Sequence, residues 1–167
     1  MAEQEKDRLA ALSAEQERRA KAAAEAEAKR YAALVIQGNA VANTGDYDRA
    51  IATFNEVIRL DPNNALAFGS RGFAYWKKGD IDRGIADFNE AIRLNPNNPL
   101  ALGNRGNAYW RKGDNNRAMA DYNEAIRLDP MGANNFCNRG RLKLKINDAS
   151  GNLDIAKARQ LDASVCR

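Results

Sequence analysis

Few residues of this chain have types and spacings that could do chemistry. They are two cysteines, Cys137 and Cys166, and three arginines recurring at Arg71, Arg105 and Arg139. Histidine is absent altogether. That removes the commonest metal ligand and the usual general base near neutral pH. Two cysteines alone cannot complete a four-ligand zinc site. No glycine-rich loop that would cradle a phosphate is present either. No catalytic residue can therefore be assigned, and neither a metal nor a cofactor is expected. Two chemistries remain. The cysteines either pair as a disulfide or stay as thiols. The arginines either form an anion ladder or pair with acids such as Asp87, Glu90, Asp121 and Glu124. Repeating acids beside repeating bases favour the pairing, which is worth little per pair unless buried.

The elements that must position these residues are set by a repeat. Gly38, Gly72, Gly106 and Gly140 recur every 34 residues, as do Pro62, Pro96 and Pro130, and Phe54, Phe88 and Tyr122. The pairs Gly45-Asp46, Gly79-Asp80 and Gly113-Asp114 keep the same step. A fixed period of this length signals a stack of small units that bury a core only together. Each unit reads as two helices. Phe68, Gly72 and Tyr75 share one face of the first helix in the second unit. Gly79 then offers a positive φ and Asp80 a cap, which ends one helix and starts the next. Ile85, Phe88, Ala91 and Ile92 make the apolar stripe of the second helix, and Asn95-Pro96 ends it. The recurring glycines are expected to face the aromatics and let the helices approach closely.

This pattern resembles the tetratricopeptide repeat (TPR) family. The third unit supplies the full motif: Leu102, Gly106, Tyr109, Gly113-Asp114, Ala118, Tyr122, Ala125 and Pro130. The second unit departs at Gly84, and the first at Val41 and Val57. The resemblance implies an all-α, right-handed superhelix of four helix-turn-helix units, about 31–64, 65–98, 99–132 and 133–166. The fourth is degenerate. Its turn, Ile146-Asn147-Asp148-Ala149, looks one residue shorter, Lys143 replaces a tyrosine and Ala163 the closing proline. It reads as a polar cap.

Residues 1–30 form a charged, alanine-rich segment that favours helix, with Glu15–Arg19, Glu17–Lys21 and Glu25–Lys29 spaced to pair. No glycine or proline separates it from Tyr31, so one helix is expected to run into the first unit. Its apolar stripe is thin, Leu9 and Leu12 among alanines. It is either a solvated extension or a helix that packs on another copy or in the protein's own groove; leucines not sustained over several heptads favour the first.

At 167 residues, 44% hydrophobic and 29% charged, the chain is expected to fold as one globular unit with no membrane span and no secretory leader. The net charge is +4. Residues 1–30 carry seven basic and seven acidic side chains, residues 31–130 twelve of each, and residues 131–167 seven against three. Cys137 falls early in the first helix of the fourth unit and Cys166 just past its second, so antiparallel packing allows a bridge. A bridge would place the protein in an oxidising compartment such as a bacterial periplasm. A buried free thiol with a dangling one would suit the cytoplasm.

In the TPR family the first helices of successive units line a concave groove. The resemblance places Val35, Ile36, Asn39 and Asn43 there from the first unit, and Gly69, Ser70, Phe73, Trp76 and Lys77 from the second. The third gives Gly103, Asn104, Asn107, Trp110 and Arg111, and the fourth Cys137, Asn138, Arg141 and Lys145. Asparagine amides suit the main chain of an extended peptide whatever its side chains. The tryptophans either contact a ligand or pack between units. Gly69 and Gly103 would leave room for a ligand near the backbone. One TPR subclass clamps the terminal carboxylate of chaperone tails. Here Val35 stands in place of its lysine and Ser70 in place of its second asparagine, so that clamp is not formed.

The expected function is thus a scaffold that binds an extended protein segment, peptide or partner helix in the groove, with no small-molecule substrate. The alternative is a structural protein, a homo-oligomer assembled through the N-terminal helix or end repeats. Nucleic acid is a weaker reading, because Arg139, Arg141, Lys143, Lys145 and Lys157 are more simply solubilising.

Overall fold

The computed structural model describes residues 1–167, which form eight α-helices. They are α1 Ala2–Asn43, α2 Tyr47–Leu60, α3 Ala65–Lys78, α4 Ile81–Leu94, α5 Pro99–Arg111, α6 Asn115–Leu128, α7 Ala133–Lys145 and α8 Gly151–Leu161. Each boundary has a local cause. The Asp46, Asp80 and Asp114 carboxylates accept the backbone N–H three residues on, at 3.2, 3.2 and 3.0 Å, and so start α2, α4 and α6. Asn64 and Asn98 do the same for α3 and α5. Gly79, at φ 100°, ends α3 in the left-handed conformation that a side chain would disfavour. None of the helices is long and apolar enough to cross a membrane.

Packing follows from the 34-residue pattern. Phe54, Phe88 and Tyr122 are fully buried, and each lies against a glycine of the preceding helix. A Cβ at Gly38 would stand 2.6 Å from the Phe54 ring, and one at Gly106 2.7 Å from Tyr122. Each helix packs on the next in sequence, and α1 also touches α3, α3 touches α5, and α5 touches α7. The even-numbered helices do not touch one another. The odd helices therefore lie closer together, and the right-handed stack curves around them with α1, α3, α5 and α7 on the inner face.

The recurring arginines are structural. Arg71 donates from Nε and Nη2 to both oxygens of Asp87, and from Nη1 to Asn55 of the preceding unit. Arg105 repeats this with Asp121 and Asn89, and Arg139 with Asp154 and Asn123. The guanidinium forks are filled by these partners, which rules out a free anion ladder. Glu90 and Glu124 bond instead to Arg93 and Arg127 on their own helices. Each such arginine joins the two helices of its own hairpin and ties them to the hairpin before.

The fourth unit shows how a repeat accommodates a lost residue. Asn147 takes the left-handed conformation at φ 64°, in the place of Gly113 one unit earlier, and Asp148 stands in the place of Asp114. The turn itself is therefore not shortened. The deletion falls just after it: Gly151, against the Gly140 carbonyl, follows Asp148 by three residues, whereas Ala118 follows Asp114 by four. Side-chain caps are missing from this unit as well: glycine stands at 132 where the earlier units have Asn64 and Asn98, and Ser150 before α8 makes no cap bond. Lys143, in the tyrosine's place, reaches Asp154 at 3.1 Å beside Arg139. Cys137 and Cys166 are joined as a disulfide across a Cα separation of 5.7 Å, which fastens the last turn of chain onto α7.

Helix α1 is continuous from the N-terminal segment into the first unit, and every residue of 1–30 is exposed. Of the three expected pairs, Glu15–Arg19 closes and the other two do not. Arg30, 3.7 Å from Glu56, is where the helix first meets α2 through an ion pair.

Candidate functional site

The inner face carries two hollows that share a wall. One, of about 390 Å³, lies over α1, α3 and α5 and is bounded by Asn39, Asn43, Leu66, Ser70, Leu100 and Asn104. The other, of about 510 Å³, lies over α3, α5 and α7, with Trp76, Lys77, Asn104, Asn107, Asn135 and Asn138 on its sides. Phe73, Leu100 and Asn104 belong to both, so the two form one groove running across all four units. It is polar along its floor and apolar at its edge, where Leu66 and Leu100 are 55% and 67% exposed. These two leucines also recur at the 34-residue step. That was the sequence signal for them, and it is easily overlooked because they fall on the first turn of each helix.

The asparagines are not equivalent. Asn107 accepts the Tyr122 hydroxyl at Oδ1, 2.8 Å away, and has only its amide N–H groups left for a ligand. Burial, with the Asp121 charge nearby, pushes the Tyr122 pKa well above its ordinary value, so the phenol stays a donor. Asn39, Asn104 and Asn138 keep both donor and acceptor free. Asn135, absent from the sequence-based set, presses its amide over Gly103, with Oδ1 2.2 Å from where a Cβ would be. The room expected at Gly103 is thus filled by the protein itself. At Gly69 it stays open, the nearest atom being the Ala91 methyl at 3.8 Å.

The two tryptophans part company. Trp110 packs against the buried cluster of Tyr109, Ala118, Tyr122 and Leu142 and lies outside both hollows. Trp76 lines the groove 5.7 Å from the Phe73 ring. Lys77 Nζ stands 5.0 Å from its centroid and the Arg111 guanidinium 5.7 Å, while Arg111 also donates to the Trp76 carbonyl at 3.2 Å. Both indole N–H groups are buried without an acceptor in the chain. Arg111 and Arg141 do not line the hollows, and both are exposed. Val35 and Cys137, placed in the groove on the strength of the repeat, are 3% exposed and belong to the core.

Residues 71–133 match the family profile described as tetratricopeptide repeat, and residues 38–79 match a TPR repeat profile. The chain is a tetratricopeptide-repeat protein. Among solved structures this TPR chain is similar to "MamA 41-end from Desulfovibrio magneticus RS-1", at 24% identity and a TM-score of 0.69, over 80% of this chain and 76% of that one. The structure entitled "Crystal structure of MamA protein" shares 20% identity at a TM-score of 0.69, over 84% and 77% of the two chains. "First TPR of Spaghetti (RPAP3) bound to HSP90 peptide SRMEEVD" is alike at 24% identity and a TM-score of 0.68, over 70% and 95%. At such identities the likeness is one of fold. No curated protein matches the sequence significantly. As a TPR protein the chain is a helical-repeat interaction scaffold.

Proposed function

We propose that this TPR protein binds an extended segment of a partner protein in the continuous groove over α1, α3, α5 and α7. The observation that carries this reading is the row of free amides at Asn39, Asn104 and Asn138, flanked by the exposed edge formed by Leu66 and Leu100. Amides pair with main-chain groups irrespective of sequence, and the leucines supply apolar area at the rim. The solved Spaghetti TPR holds a peptide, which supports this use of the fold. The chaperone-tail clamp is not part of this reading, because Val35, a core residue, stands in place of its lysine and Ser70 in place of its second asparagine. No catalytic role is assigned to any residue. The Cys137–Cys166 bridge supports residence in an oxidising compartment.

The test is binding of peptides selected from a displayed random library. Asn104→Ala with Asn138→Ala should weaken selected peptides about tenfold or more while helicity and melting hold. Asn107 is left intact, since its loss would strand the buried Tyr122 hydroxyl. Undiminished binding by the double variant refutes the groove assignment.

A second reading, assembly through α1, is favoured by the full exposure of residues 1–30 with Leu9 and Leu12 uncovered. Sedimentation across a concentration series separates the two: a strict monomer at all concentrations argues against it.

A further inference from the structure

In the second to fourth units the acidic residues of the helices all lie in the outer layer. Helices α3, α5 and α7, which face inward, contain no aspartate or glutamate at all. They carry nine lysines and arginines: Arg71, Lys77, Lys78, Arg105, Arg111, Arg139, Arg141, Lys143 and Lys145. Five of these are spent on internal ion pairs. Arg71, Arg105, Arg139 and Lys143 bond to buried aspartates, and Lys78 bonds to Asp48. The other four, Lys77, Arg111, Arg141 and Lys145, have no carboxylate within ion-pair distance and are all exposed. Lys77, Arg111 and Lys145 are one repeat apart and form a ridge beside the groove: Lys77 lines it, while Arg111 lies over the Trp76 ring and Lys145 over that of Trp110, outside both hollows. The one acid at the groove, Asp129, is turned to its own loop, where it accepts the Met131 N–H at 3.0 Å.

We infer that the segment held in the groove is acidic, with carboxylates spaced to meet Lys77, Arg111 and Lys145. The inference rests on the groove reading above. A cation ridge with no carboxylate partner, beside a groove whose one acid is held in its own loop, attracts an anionic segment during encounter and repels a basic one. A nucleic-acid strand fits less well. The groove's indole, Trp76, is half-buried and already has Lys77, Arg111 and the Phe73 ring beside it, which hinders stacking by a base. Sequence-independent amides along the floor suit a peptide main chain.

The experiment is selection from the displayed random peptide library on the intact protein and on a Lys77→Glu, Arg111→Glu, Lys145→Glu variant, with helicity and melting measured for both. Single-stranded oligonucleotides are titrated in parallel. Peptides enriched by the intact protein should be rich in Asp and Glu. Their glutamine-substituted versions should bind about tenfold more weakly or worse, and binding should fall with added salt. The charge-reversed variant should enrich basic peptides instead. Neutral or basic peptides enriched by the intact protein, lost on Asn104→Ala with Asn138→Ala, would overturn the charge inference and leave the groove standing. Enrichment indifferent to that double substitution, or no enrichment, would overturn both. Oligonucleotides bound more tightly than the best acidic peptide would also overturn it.

Discussion

Arg105 holds Asp121 through two parallel hydrogen bonds, Nε to Oδ2 at 2.8 Å and Nη2 to Oδ1 at 2.7 Å, with both side chains at least four-fifths buried. Its remaining nitrogen reaches Asn89 in the unit before, at 2.8 Å. One side chain thus closes a hairpin and docks it on its neighbour. The same fork recurs at Arg71 and Arg139, so the superhelix is stitched at equal intervals by charge-assisted bonds as well as by apolar packing.

Breaking one stitch should cost more than a surface ion pair would. Arg105→Ala leaves Asp121 buried and uncompensated, and should destabilise the protein by about 2–4 kcal/mol. For a chain of this size that is a fall in melting temperature of roughly 5–12 °C. Arg105→Lys should restore only part of it, since an ammonium cannot fill both carboxylate oxygens and Asn89 in one plane. Thermal denaturation followed by circular dichroism reads all three. A change under 2 °C for the alanine variant would show that the fork is decorative.

The fourth unit should be the first to fail in acid. Burial pushes the Asp154 pKa up more than any other single influence, but the bonds from Arg139 and Lys143 together draw it below the usual aspartate value. A lowered folded pKa contributes stability above the unfolded value, 3.8, and loses it as pH falls through the folded one. The difference in melting temperature between the natural protein and Asp154→Asn should therefore be constant from neutral pH down to about 5 and shrink below about 4. A difference that does not narrow in acid would show that the carboxylate is not the group at work.

The disulfide should govern the same unit. Denatured, unreduced protein should contain no titratable thiol, and two thiols would refute the bridge. The bridge spans a sequence separation of 29, for which chain entropy predicts about 3.6 kcal/mol. Reduction should speed amide hydrogen exchange in α7 and α8 before it affects α2 to α4, because the fourth unit has neither side-chain cap nor closing proline to hold it. Uniform acceleration along the chain would contradict a local role.

Much of this architecture is written in local chemistry. The Gly-Asp turns, the glycine-aromatic faces and the proline stops each act within a few residues, so the sequence alone determined four helical hairpins; which helices face inward followed only from the resemblance to the TPR family. The arginine pairing could be narrowed to a handful of acids but not to one. Asp87 and Glu90 both sit on α4, and only the rotation of that helix against α3 brings Asp87 to the fork and leaves Glu90 to Arg93.

Tertiary structure decided the rest, for the same reason each time: a side chain's neighbours come from helices that the period does not set in register. Val35 and Asn39 are one turn apart on α1, yet one enters the core and the other the groove. Trp76 and Trp110 occupy equivalent positions, but Trp110 packs on the Tyr122 cluster while Trp76 stays on the groove. Asn107 is drawn to Tyr122 because that unit carries a phenol where the others have Phe54 and Phe88. The residue lost from the fourth unit moved from the turn to the start of α8, where Gly151 could close on Gly140 and let Asp154 still reach Arg139. Repeat identity placed these residues by position, and packing assigned each its surroundings.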